Sequence, residues 1–328
     1  MIHWAILGAG GIAHRFAASL LHHPDSILCA ISCRNAEKAA AFAAQFGVPR
    51  RYLSHEALLA DPEVDAVYLA LPHGLHKEWA VRALQAGKAV LCEKPAALNA
   101  DEMEQIAAAA RGNGRLFMEA MKPRFVPLYA RLRELVGQGA IGELTGISAS
   151  RCSAVDTASL RPGCYLLQPG QGGILLDCGC YCASWLEDWL PARALDEALC
   201  GGALPMTVED RLRDGIDVYV RARMEAGSVQ AELECAMDRS KPRVVVLTGT
   251  EGRLVVEEMH RPQTAVLYRG GQTPERVESP YVVDDFYGEI CHFAQCLQQA
   301  LPESPVMPLA ASVRIARLMD RIRAEFEM

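Results

Sequence analysis

A short apolar run, Ile2-His3-Trp4-Ala5-Ile6-Leu7, breaks into Gly8-Ala9-Gly10-Gly11-Ile12-Ala13, and an amphipathic stretch follows at once. Few local structures accept that order. The run reads as a buried strand, the glycines as a tight turn and the remainder as the start of a helix. Gly8 permits the turn, Gly10 has no Cβ and lets a pyrophosphate reach the backbone, and Ala13 is small enough for the helix to pack closely on the strand. The N–H groups of Gly11 and Ile12, at the positive end of the helix dipole, then face the phosphates. Glycines alone are weakly specific; the strand before and the helix after are the context that a dinucleotide fingerprint requires.

The first third of the chain continues the alternation. Strand-like runs at 2–8, 27–33, 65–71, 88–92 and 115–120 are separated by helix-like runs near 11–22, 35–46, 74–86 and 99–110. Short connections between them predict a parallel, doubly wound sheet. Asn35 caps the second helix, which Gly47 and Pro49 end; Asn99 caps a later one, closed by Gly112. After residue 122 the pattern changes. A helix is expected at 126–136 and a long strand at 143–155, and Gly172-Gly173 opens a helix running to Trp189. Ile216, Val218, Val220, Ala222 and Met224 then alternate with polar residues, as do Val229, Ala231, Leu233 and Cys235. That period of two means a mostly antiparallel sheet with one buried face. More strands are expected at 243–249, 252–258 and 264–269, and two helices near 284–300 and 307–326. The reading is an α/β chain: a dinucleotide-binding domain over 1–122, and an α+β domain with a large open sheet over 123–328 that serves substrate and oligomer. The last helices are left free to return to the first domain. No internal repeats are seen.

Composition narrows the partners. A net charge of −7 over 328 residues argues against a nucleic-acid partner. No apolar run approaches the ~20 residues of a membrane span, and the first apolar run is already the fingerprint strand rather than a cleaved leader. A soluble cytoplasmic protein is expected. The twelve cysteines are scattered, several in apolar runs, and read as small buried hydrophobes of a reducing compartment. Cys178, Cys180 and Cys182 lack the spacing of a zinc site, and His73 and His76 lack a third ligand, so no metal is expected.

The end of the second strand bears on the choice of dinucleotide. NAD sites usually carry an acid there for the ribose 2′-hydroxyl. Here the strand ends Ile31-Ser32-Cys33-Arg34-Asn35. Cys33 brings no charge, and Arg34 is placed to pair with a 2′-phosphate and stack on adenine, which favours NADP over NAD.

Further motifs carry a resemblance. Leu69-Ala70-Leu71-Pro72-His73-Gly74-Leu75-His76 closes one strand and Glu93-Lys94-Pro95 the next; Glu119-Ala120-Met121, Arg124-Phe125-Val126-Pro127 and Gly172-Gly173-Ile174-Leu175-Leu176-Asp177-Cys178-Gly179-Cys180-Tyr181 follow. In that order and spacing they resemble the Gfo/Idh/MocA oxidoreductases, and the last two look most like the dimeric dihydrodiol dehydrogenase branch. The resemblance implies reversible hydride transfer between a nicotinamide and a secondary alcohol or ketone of a sugar, inositol or cyclic diol. Lys94 would contact the nicotinamide ribose and the substrate, Asp177 would orient substrate hydroxyls, and Tyr181 would carry the proton on oxygen. A tyrosine with an ordinary pKa of about 10 needs a cationic neighbour for that role, and Lys94 is the expected one. Leu71, Pro72, His73, His76 and Glu93 would line the cofactor; the family commonly has Thr or Ser where this chain has Leu71, and Asn where it has His73. Arg124 and Arg161 are cations that an anionic substrate would meet, although each also reads as a structural or surface charge. A homodimer or homotetramer is implied. Two other readings stand beside the dehydrogenase: a nicotinamide-dependent glycoside hydrolase of the same fold, and a non-catalytic NADP-binding sensor.

Overall fold

The computed structural model describes residues 1–160, 163–201 and 204–326. These form two compact units, one built from residues 1–97, 101–122 and 281–312, the other from 98–100, 123–280 and the chain from 313 on.

The first unit carries a parallel six-stranded sheet: β1 (Ile2–Leu7), β2 (Ser26–Ser32), β3 (Arg50–Tyr52), β4 (Ala66–Leu69), β5 (Ala89–Glu93) and β6 (Phe117–Ala120). Their spatial order is β3-β2-β1-β4-β5-β6, so the winding reverses between β1 and β4, where such sheets bind ligands at their carboxyl ends. The connecting helices are α1 (Gly11–Leu20), α2 (Ala36–Phe46), α3 (His55–Leu59), α4 (His76–Gln85) and α5 (Ala100–Asn113). Asn35 caps α2 by accepting from the Lys38 N–H, and Gly47 ends it in the left-handed region at φ +67°. The helix expected to close at Gly112 runs one residue further, to Asn113; Gly114, at φ +57°, supplies the left-handed stop. The edge strand β3 and the one-turn α3 are too short for periodicity to reveal. Trp4, Phe16, Tyr68 and Phe293 are fully buried at the centre. Phe16 stacks on Tyr68 at 3.6 Å and Trp4 meets Phe293 at 5.0 Å, each buried side chain contributing about 1.5–3 kcal/mol. Phe293 belongs to a late helix, and the segment leading into it is tied by charge: Asp285 pairs with Arg15 and, at 2.7 Å, with Lys122.

The second unit opens with α6 (Pro127–Gly137), whose first position takes a proline because that N–H has no helical partner. Eight strands follow: β7 (Leu144–Cys152), β8 (Met206–Arg213), β9 (Ile216–Ala226), β10 (Val229–Ala236), β11 (Val245–Gly249), β12 (Gly252–Val256), β13 (Thr264–Arg269) and β14 (Glu275–Glu278). They order as β14-β13-β12-β11-β7-β10-β9-β8, antiparallel except where β10 runs parallel to β7. The helices are α7 (Cys180–Trp189) and α8 (Ala192–Leu199); α9 (Tyr287–Gln298) belongs to the first unit, and α10 (Leu309–Arg323) begins there and continues in the second. The strands β8 and β14 and the helix α8 were not legible, since β8 and β14 are largely exposed and bury few apolar side chains. The sheet's outer face is not polar throughout: Tyr219, Cys152 and Ala236 are buried there, and Glu234 is enclosed between the Tyr219 hydroxyl at 3.1 Å and Lys241 at 2.6 Å. Among the described residues no helix is long and apolar enough to cross a membrane.

Candidate active site residues

In the first unit, Gly8 follows β1 at φ +102°, and a Cβ there would lie 2.4 Å from the Ala70 carbonyl oxygen. Any other residue would part the β1 and β4 ends, so Gly8 is required where the strands diverge. At Gly10 and Gly11 an added Cβ would meet nothing within 4 Å. Gly10 is the N-cap of α1 and offers no side-chain acceptor, and no acidic residue occupies the first turn. The N–H groups at that helix end are therefore left for a ligand, as a dinucleotide pyrophosphate requires. Ile12 extends from the same turn and is exposed. At the end of β2, the Cys33 N–H donates to the Tyr52 carbonyl and Arg34 is exposed, with no acidic residue at 31–35.

Lys94 directly follows β5, at the carboxyl end of the parallel sheet, and the Lys94–Pro95 peptide is cis. Glu93 is held by the Tyr68 hydroxyl, which donates to its Oε1. His76 is fully buried, with Nδ1 2.8 Å from the Pro95 carbonyl and Nε2 2.8 Å from the Leu71 carbonyl. Burial pushes its pKa down although both carbonyls favour the charged form. Its visible work is to join the Leu71-Pro72 loop to the Lys94-Pro95 turn. His73 opens a short 3-10 turn, is buried, and has its ring 5.9 Å from that of His76.

In the second unit the expected α-helix from Gly172-Gly173 is not continuous. Leu175–Gly179 is a π turn, and α7 begins at Cys180. Asp177 therefore lies in the π turn and Tyr181 in the first α turn; such insertions are frequent at functional sites. The turn is anchored by Asp217 of β9, whose Oδ2 accepts from the Leu175 N–H at 2.7 Å. Gly173 sits at φ +95°, and a Cβ there would come within 1.9 Å of the Asp217 carboxylate. The Tyr165 hydroxyl donates to Asp177 Oδ1 at 3.2 Å. Tyr181 is 5% exposed, its ring 6.0 Å edge-on from His260 and 5.6 Å beneath the Arg151 guanidinium.

Tyr165, Asp217, Arg151 and His260 escaped sequence reasoning. Arg151 left a signal, since it continues the inward-facing positions Ile147 and Ala149 of β7 with a charge. Arg124 is structural: it is buried, donates to Ser184 Oγ at 2.9 Å and pairs with Glu187. Arg161 lies outside the described residues.

Burial pushes the Asp217 carboxyl up to about 6, against the opposing pull of the Leu175 N–H. A carboxyl raised from about 3.9 in the unfolded chain makes the fold relatively more stable below pH ~4, and that contribution is lost as the pH rises through about 6. Asp217→Asn should match the parent near pH ~4 and exceed it above pH ~6, by up to about 3 kcal/mol. Urea unfolding at both ends of that range checks this; a difference that does not change with pH would remove Asp217 as its source.

Two family profiles match this chain: "Oxidoreductase family, NAD-binding Rossmann fold" over residues 2–121, and "GFO/IDH/MocA C-terminal domain" over 129–255. The chain is 33% identical over 335 residues to the trans-1,2-dihydrobenzene-1,2-diol dehydrogenase of Mus musculus, covering 98% of this chain and 96% of that one. The Xenopus laevis enzyme of the same name is also 33% identical, with 97% and 96% covered. Among solved structures, a 3-ketoreductase from Actinomadura kijaniata in complex with NADP and TDP-benzene superposes with a TM-score of 0.86 at 28% identity, covering 99% of this chain and 97% of that one. Structures of the same ketoreductase exist with a lysine replaced by alanine and with a tyrosine replaced by phenylalanine. A fingerprint turn open to phosphates, the sheet order of a dinucleotide fold and matches over both halves agree: the chain belongs to the GFO/IDH/MocA oxidoreductases and is a nicotinamide-dinucleotide-dependent dehydrogenase or reductase.

Proposed function

We propose that this enzyme uses NADP to interconvert a secondary alcohol and a ketone on a sugar, inositol or cyclic diol, with Lys94, Asp177 and Tyr181 as its reacting side chains. The observation that carries the reading is Glu93-Lys94-Pro95 at the carboxyl end of a sheet whose α1 N-terminus is uncapped. The dihydrodiol dehydrogenases and the NADP-bound ketoreductase support the reaction class. When bound, the nicotinamide gives or takes the hydride. Tyr181 gives the substrate oxygen its proton in reduction and removes it in oxidation. The Lys94 ammonium stabilises negative charge developing on that oxygen. Asp177, steadied by Tyr165, accepts from a neighbouring substrate hydroxyl. The cofactor-binding set follows the same lines: Gly8, Gly10, Gly11 and Ile12 for the pyrophosphate, Cys33 and Arg34 for the adenine ribose, and Leu71, Pro72, His73, His76, Glu93 and Lys94 for the nicotinamide half. The twelve cysteines, none of them in a disulfide, favour a reducing cytoplasmic setting. A homo-oligomer is part of the proposal.

The test is NADPH absorbance, with NADP and NAD offered separately against sugars, inositols and trans-cyclic diols. Turnover without net absorbance change on glycosidic substrates would favour the hydrolase reading instead. Tight NADP binding with no turnover of any substrate would favour a sensor. Arg34→Ala should lower kcat/KM for NADP by about 10- to 100-fold, the worth of a charge-assisted bond, and leave that for NAD unchanged. An equal loss with both cofactors would remove Arg34 as the reader of the 2′-phosphate.

A further inference from the structure

We propose that Arg151 is a positioning residue that sets the proton affinity of Tyr181. Strand β7 turns Ile147 and Ala149 inward, 3% and 1% exposed, and the next inward position holds an arginine where a hydrophobe would be expected. Its guanidinium lies over the Tyr181 ring, 5.6 Å from the centroid. Nε is buried without a hydrogen-bond partner. Among the described residues Arg151 has no ion pair; the groups that act on it are Cys178, Tyr181, Asp177 and Cys182. Burial opposes its charge, but the fields of those groups outweigh burial and hold its pKa above the ordinary value.

A half-buried cation with no ion pair is costly, and a structural role would be served as well by a leucine. What a cation over a phenol ring does is favour the phenolate, because the enclosed field is poorly screened. Other titratable or charged groups of this unit lie near Tyr181. Asp177, Cys178 and Cys182 lie on its own helical stretch, Cys235 on β10 beneath it, and His260 with Arg261 in the loop after β12. The Asp177 carboxylate opposes ionisation of the phenol. Arg151 is a permanent cation in ring contact.

The inference rests on the proposed role of Tyr181 as proton carrier, and the experiment separates the two. Arg151→Met, Arg151→Lys and Tyr181→Phe are compared in the full chain with NADP. The tyrosinate titration is read by ultraviolet difference absorbance, with Tyr181→Phe as the subtraction, and the pH profile of kcat is read alongside. Arg151→Met should move the Tyr181 titration and the matching limb of the profile up by about one pH unit, and Arg151→Lys should restore most of that shift. Should the Met variant not fold, Arg151→Gln keeps the length and hydrogen-bonding capacity without the charge. An unmoved titration in the uncharged variants, or a Lys variant that behaves like them, overturns the inference. Full activity in Tyr181→Phe would instead overturn the role of Tyr181 itself, whatever Arg151 does to its titration.

Discussion

Tyr181→Phe is expected to lower kcat by about 10²- to 10⁴-fold, the usual worth of a positioned acid or base, while cofactor affinity stays as it was. The substitution removes one oxygen from a side chain that is 5% exposed and leaves the ring contacts with Arg151 and His260 in place. Packing of α7 on the sheet is therefore preserved, and the loss isolates the proton step. Lys94→Ala should fall in the same range, with a raised KM for substrate, because in its proposed role the ammonium contributes to binding as well as to the reacting oxygen. Steady-state kinetics together with NADPH fluorescence titration measure both quantities. A Phe variant with unchanged kcat would mean that another group or a water carries the proton.

The largest stability effect is expected at Glu187→Ala. Glu187 is 5% exposed and bridges two arginines, Arg124 at 2.5 Å and Arg314 at 2.7 Å. Arg124 is equally enclosed, and its other bonds go to Ser184 Oγ and to the Ser184 carbonyl. Removing the carboxylate leaves the buried guanidinium only Asp188, at 3.7 Å, as counter-charge, which costs about 3 kcal/mol. Urea midpoints measure it, and the folded fraction should keep its affinity for NADP, because the dinucleotide fingerprint belongs to the other unit. A loss under about 1 kcal/mol, the level of an exposed pair, would show that water reaches Arg124 in solution.

Regular structure was readable wherever one physical requirement repeated along the chain. The alternation of β9 and β10 follows from a strand's two faces, and the Asn35 and Gly47 boundaries of α2 follow from unpaired N–H groups and a left-handed stop. The π turn was not readable, because Leu175 to Gly179 has an ordinary helical composition. It is anchored instead by Asp217, forty-two residues away, taking the Leu175 N–H. Gly173 looked like a helix opener; its φ of +95° and its approach to the Asp217 carboxylate give it a different reason to be glycine.

The sequence by itself determined the doubly wound sheet, the fingerprint turn and the positions of Lys94, Asp177 and Tyr181 in their motifs, since each depends on neighbours within a few residues. Tertiary structure alone decided which charges are enclosed and what they face. Arg124, Arg151 and Arg161 are alike as letters. Folding seals Arg124 against Glu187 and sets Arg151 on the ring of Tyr181. A charge's effect depends on its surroundings and on the loss of water around it, and those are properties of contacts between distant segments, which no local pattern encodes.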